Sequence, residues 1–197
     1  MIRHYFIIIA ILLLSGCASD PVPLNYYLLH SPTHEGTDDE HTVKGRLRID
    51  KLTLPDYLKQ RGLAMQTGPA TLFFSSQHVW AEPLSSDILQ TLSTSLWHDE
   101  GMEVYTQNIY DRAQTTGVTL VVDDFIATHQ GNIVLRGQYW LFPENGPPVS
   151  KRFNLQTPQQ EDGFEHTVIQ MRGLVVRLAN EIAESALALS DSGAQQD

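Results

Sequence analysis

Eight histidines, one cysteine and several groups of carboxylates are the residues of this chain whose types could do chemistry, and their spacing decides which chemistry. His30, His34 and His41 flank Asp38-Asp39-Glu40, the densest gathering of potential metal ligands. Their intervals do not match a closed zinc site, and a metal would have to order the segment itself. Ser31 to Thr42 is polar, with Pro32 and Gly36 as breakers, and reads as a solvated surface loop. Asp123-Asp124 is a carboxylate pair of the kind used in acid–base work. Adjacent strand residues point to opposite faces of a sheet, however, so the two cannot address one substrate atom. His98, beside Trp97 at the end of a helical pattern, suits the last carbonyls and the dipole of that helix. No Gly-x-Ser-x-Gly elbow, Ser-x-x-Lys pair or glycine-rich phosphate loop occurs. The expectation is a protein with no catalytic residues, no metal site and no cofactor, and not an enzyme.

Cys17 is set apart by what precedes it. Met1-Ile2-Arg3-His4 supplies a basic start, and Tyr5 to Leu14 is a continuous apolar run. A basic start, a 7–15-residue apolar core and small residues at the exit describe a secretory signal peptide. The run is too short for a transmembrane helix, which needs about 20 apolar residues to cross about 30 Å of hydrocarbon. It closes on Leu14-Ser15-Gly16-Cys17, which resembles the bacterial lipobox. The resemblance implies cleavage before Cys17, a diacylglycerol on its thiol and acylation of the new amine. The alternative is an ordinary signal with a stray cysteine. One acyl chain binds a membrane only marginally, whereas two or more hold stably. With this thiol taken, disulfides, Cys-ligated zinc and a cysteine nucleophile are excluded. Bacterial lipoproteins kept in the inner membrane tend to carry Asp directly after the cysteine. Here Ala18 and Ser19 intervene before Asp20. By analogy the sorting favours the periplasmic face of the outer membrane.

These residues need a scaffold. Removing residues 1–16 from the 197 leaves 181, enough for one domain with a sizeable core. A hydrophobic content of 42% fits a globular fold. Loss of Arg3 takes the formal charge from −10 to −11. So acidic a chain has no basic stripe for nucleic acid and no Lys/Arg cluster for anionic headgroups. The expected organisation is a signal peptide at 1–16, a lipidated tether at 17–23, one domain at 24–190 and a polar, frayed tail at 191–197. Pro21 and Pro23 make the tether extended.

Within the domain, strand patterns occupy Leu24 to His30, Arg46 to Leu54 (irregular at Asp50-Lys51), Leu63 to Gln66, Thr71 to Ser76 and Met102 to Gln107. Asp56-Tyr57-Leu58 suits a single turn. From Pro83, well placed in a first helical turn, Leu84, Ile88, Leu89, Leu92 and Leu96 recur at helical spacing as far as Trp97. Gly117 to Thr128 and Asn132 to Phe142 read as a hairpin, and Val149 to Gln156 adds a further strand. Phe164, Val168, Met171, Leu174, Val175, Leu178, Ile182, Ala186 and Leu189 trace one stripe along the longest helix. About six or seven strands and two amphipathic helices predict a single-domain α+β sandwich. Its sheet is mostly antiparallel or mixed, with both helices packed on it.

Four segments carry a further resemblance: Tyr26-Tyr27-Leu28-Leu29, Leu54-Pro55-Asp56-Tyr57-Leu58, Arg61, and Trp80-Ala81-Glu82-Pro83-Leu84. In that order after a lipobox, they resemble the PqiC (YmbA-type) family of lipoproteins, auxiliary components of ABC-type and MCE transport systems. The likeness runs from the lipobox to about Leu96. One departure is Lys59 to Met65, which replaces an Arg-Pro-Gln-Ile-Val-like strand, although Leu63 and Met65 keep its alternation. The resemblance implies a lipoprotein on the outer membrane that works with an MCE-family protein and its inner-membrane partner to move lipids across the envelope. It further implies a ring-shaped homo-oligomer, suited to a collar around the end of an MCE tube. Trp80, Glu82, Pro83 and Tyr57 are the candidate partner-binding residues. Trp is enriched at binding hot spots, but a Trp ahead of a helix also packs inward and staples the helix start. The alternative function is a pilotin-like assembly lipoprotein for an outer-membrane channel.

Overall fold

Alternating and helical periods resolve into eight strands, one 3-10 turn and two helices in a computed structural model that describes residues 22–31, 42–105 and 115–194. Cys17, His34, Asp38-Asp39-Glu40 and His41, with the signal peptide, lie outside the described residues. The strands are β1 (Asn25–Tyr27), β2 (Gly45–Thr53), β3 (Gly62–Gly68), β4 (Thr71–Trp80), β5 (Met102–Tyr105), β6 (Thr116–Ala127), β7 (Asn132–Phe142) and β8 (Val149–Pro158). Helix α1 spans Leu84–His98 and α2 spans Phe164–Ala194. All eight strands join one mixed sheet, more than the six or seven expected.

β6 organises the sheet. One edge pairs antiparallel with β7, which pairs antiparallel with β8. The other edge is shared: β2 runs parallel to residues Thr116–Val121, and β3 meets it at Met65↔Ala127. β5 flanks β2 in parallel, β4 folds back on β3, and β1 closes in parallel on the end of β4. β3, β4 and β1 therefore form a wing attached at the C-terminal end of β6. The parallel pairs arise because α1 carries the chain from β4 across the sheet to β5, beside β2.

One sheet face is apolar and one polar, as a two-layer sandwich requires. Val118, Leu120 and Val122, Ile133, Leu135, Tyr139 and Leu141, and Phe153 and Leu155 are buried under the helices. On the far face Arg48 pairs with Asp50 at 2.6 Å, and Arg136 donates to Asn154 at 3.0 Å. The irregularity in β2 is a register shift between Ile49 and Lys51, with Asp50 and Lys51 both exposed. The α2 stripe from Val168 to Ala186 is buried as its spacing predicts. The helix runs on through Ala194, past Ser190, where a frayed tail was expected to begin.

Candidate functional site

Leu54 and Leu58 are buried, which pins the 3-10 turn Asp56–Lys59 to the sheet; Leu58 N–H closes the turn on the Pro55 carbonyl at 3.0 Å. The chain then climbs to Arg61, whose carbonyl accepts the Trp80 N–H at 2.9 Å. Ala81 N–H donates to the Tyr27 carbonyl, also at 2.9 Å. Two backbone bonds thus draw three distant segments (Tyr26–Leu29, Leu54–Arg61 and Trp80–Leu84) into one corner. Between the second and third lies an open groove of about 360 Å³, walled by Leu54, Leu58 and Arg61 on one side and by Trp80 to Ser85 on the other.

The predicted partner-binding residues divide within that corner. Trp80 is only 5% exposed, a core residue beneath the groove that offers little ring surface to a partner. Glu82 and Pro83 lie on the groove's rim, with Pro83 in extended backbone immediately ahead of α1. Tyr57 turns inward. Its hydroxyl accepts the Phe125 N–H at 3.3 Å and reaches Asp124 Oδ1 at 3.4 Å. Burial pushes the Tyr57 phenol up to about 12, and the Asp124 charge adds to the effect. Asp123, the unpaired residue of a bulge between Val122 and Asp124, is exposed, while Asp124 is half-buried.

Behind the groove a polar grip holds the backbone that follows β1. Asp87, on the buried face of α1 and fully enclosed, accepts the N–H of Leu29 at 2.7 Å, the N–H of His30 at 2.9 Å and the His30 ring at Nδ1. From α2, Arg172 donates to the carbonyls of Leu28, Leu29 and His30. One carboxylate thus takes the segment's donors and one guanidinium its acceptors, while Leu29 between them is fully buried. Charge-assisted bonds of this kind are stronger than neutral ones. His30 is therefore drawn toward α1, and its companions in the histidine-rich loop are outside the described residues.

His30, Glu82 and Asp87 also present ligand atoms within 4.8 Å of one another. Glu82 Oε1 is buried, and it lies 3.5 Å from His30 Nδ1. Three such groups could hold a small cation, but Asp87 already spends both oxygens on backbone and ring donors. The arrangement as it stands is a clamp.

Beside it, Tyr27 and His78 Nδ1 share a hydrogen bond of 2.7 Å, and the His78 ring stacks on Phe164 with centroids 3.9 Å apart. Burial, then the Glu165 charge, raises the Tyr27 phenol above its ordinary range. Tyr26 is exposed and carries the Arg61 guanidinium 5.4 Å from its ring centroid. Asp87 and Arg172 were missed by sequence reasoning. The available signal was position: Asp87 lies three residues after Leu84 and next to Ile88, squarely on the apolar stripe of α1.

The profile of a family described as "ABC-type transport auxiliary lipoprotein component" matches residues 27–183, most of the described domain. "Intermembrane transport lipoprotein PqiC" of Escherichia coli (strain K12) is 29% identical over 184 residues, covering 92% of this chain and 96% of the relative. The protein of the same name from Shigella flexneri matches to the same extent. Among solved structures, a crystal structure of an uncharacterized protein superposes with a TM-score of 0.70 at 22% identity, over 83% of this chain and 99% of the other. Protein XCC0632 from Xanthomonas campestris gives 0.66 at 11% identity, over 81% and 93% of the two chains. These two likenesses show that the fold is a known one.

Proposed function

The chain belongs to the ABC-type transport auxiliary lipoprotein family, and from that premise we propose that it is a non-catalytic docking component of an intermembrane lipid transport system. Acyl chains on Cys17 hold it to the periplasmic face of the outer membrane. The residues from Cys17 to Pro23 tether a single domain close to that surface. A ring of such domains receives the end of an MCE-family partner's tube, which an inner-membrane component feeds. The groove between Leu54–Arg61 and Trp80–Ser85 is the docking surface, with Glu82 and Pro83 at its rim and Trp80 and Tyr57 as its internal supports.

The observation that carries this reading is the convergence of the three family-like segments on one corner, two of them joined by the Trp80-to-Arg61 backbone bond. Among the described residues, the small pocket beneath Tyr57, Phe125 and Met171 holds about 10 Å³, room for about one water and too small for an acyl chain.

The test is a mild-detergent pull-down of the full-length protein from its own membranes, with Cys17→Ala alongside. Co-purification of an MCE protein and its inner-membrane partner with the wild type is the expected result. Recovery of an outer-membrane β-barrel alone would overturn the transport role in favour of a pilotin-like one.

A further inference from the structure

The β3–β4 hairpin leaves a set of apolar side chains uncovered. Leu72, Phe73 and Phe74 are consecutive in β4 and are 44%, 49% and 41% exposed. Consecutive strand residues point to opposite faces, so both sheet faces are open at this end of the hairpin, whose ladder link to β6 is Met65↔Ala127. One backbone edge is open as well. β1 pairs with His78–Trp80 only, so among the described residues Thr71–Gln77 has no strand on that side. From Gly62 to Gln77 the sequence contains no Asp, Glu, Lys, Arg or His, in a chain of formal charge −10.

The tether indicates what lies against this hairpin. β1 is parallel to β4 with Asn25 opposite His78, so the chain before Asn25 heads toward the hairpin turn. Cys17 is eight residues before Asn25, and Ala70, in the turn, is eight before His78. Eight residues span at most about 29 Å fully extended, and eight along a strand cover about 26 Å. The reach of the tether from Asn25 is thus about the length of β4 from His78 back to the turn. The anchor is therefore on a short leash at the side of the domain where the hairpin projects, which favours a bilayer lying against the hairpin end.

We propose that the β3–β4 hairpin rests in the interfacial layer of the bilayer that holds the Cys17 acyl chains, with Leu72, Phe73 and Phe74 as a second, non-covalent contact fixing the domain's orientation. The inference rests on the proposed acylation of Cys17. Apolar and aromatic residues with no charge suit the boundary between headgroups and acyl chains. The open edge sets the depth: unpaired N–H and C=O groups are costly in hydrocarbon but are hydrated among headgroups. A partner strand added to that edge is the competing occupant.

Acylation leaves no free thiol on Cys17, so Phe73→Cys in the full-length lipoprotein places one reactive thiol on the hairpin. A nitroxide there, in vesicles of phosphatidylethanolamine and phosphatidylglycerol, reports immersion through its collisions with oxygen and with a water-soluble nickel chelate. The expected result is loss of nickel collisions and gain of oxygen collisions at position 73, while a label at Ser150→Cys, near the opposite end of β6, stays open to nickel. Position 73 as open to nickel as position 150, in protein whose intact mass carries the lipid, would overturn the hairpin contact alone. Protection with spin–spin broadening between labels would overturn it in favour of a second copy. An intact mass lacking lipid, with two reactive thiols, would overturn the acylation and the contact built on it.

Discussion

Asp87 receives three donors on one buried carboxylate, so its charge and both oxygens are in use. Asp87→Asn removes the charge and turns an amide N–H₂ toward a donor. The expected cost is about 1–3 kcal/mol, the penalty of leaving a buried polar group unsatisfied. Urea unfolding should show a lower midpoint with unchanged slope. Arg172→Met should cost a similar amount, and the double variant less than the sum, because both residues hold the same three-residue segment. Neither residue was legible as functional in the sequence, since a hydrophobicity pattern passes over a polar side chain on an apolar stripe. Tyr57 supplies a pH test. Its folded pKa of about 12 lies above the ordinary 10, so the fold favours the neutral phenol. That contribution is fully present below pH 10 and is lost as pH rises through the folded value. Wild-type stability should therefore fall between about pH 10 and 12, and Tyr57→Phe should flatten that fall. An unchanged slope in the variant would show that Tyr57 does not titrate late.

At the scale of elements, β7 and α1 could be read almost to the residue, and α2 in all but its last four residues, because each keeps its period over at least ten positions. The wing could not. β1 is three residues long, and its pairing with β4 depends on a bond between Ala81 and Tyr27 that no local pattern announces. Parallel pairing of β2 with β5 and β6 was equally hidden, because register between distant strands leaves no trace in either strand alone. Where three strands stack most closely, size becomes decisive. A Cβ at Gly137 in β7 would lie 2.2 Å from the Val121 carbonyl oxygen and 2.6 Å from the Phe153 ring. Gly137→Ala should cost about 1–3 kcal/mol through overpacking. A thermal midpoint lowered by several degrees would bear this out, and an unchanged one would mean that β8 yields freely.

Over the whole molecule, attachment and docking fall to different parts. No helix of the described residues is long and apolar enough to cross a membrane; in the proposed account attachment rests on the Cys17 acyl chains and the hairpin. Cys17→Ala should move the protein from the membrane pellet to the soluble periplasmic fraction. Retention in the pellet would mean that the hairpin or another contact holds it without the acyl chains. A grip on Leu28–His30 just beyond β1 ties that segment to both helices, which in the proposed account would hold the docking corner in a fixed relation to the membrane. The family-like segments were legible as words in the sequence, but their meeting at one corner was not, since it depends on long-range backbone bonds. The most direct test of the account is photo-crosslinking in living cells, with the reactive residue placed at Pro83 on the groove's rim or at Asn154 on the polar sheet face. The account predicts a crosslink to the MCE-family partner from position 83 and none from position 154. Crosslinks from 154 with none from 83 would contradict it and move the docking surface to the other side of the sheet.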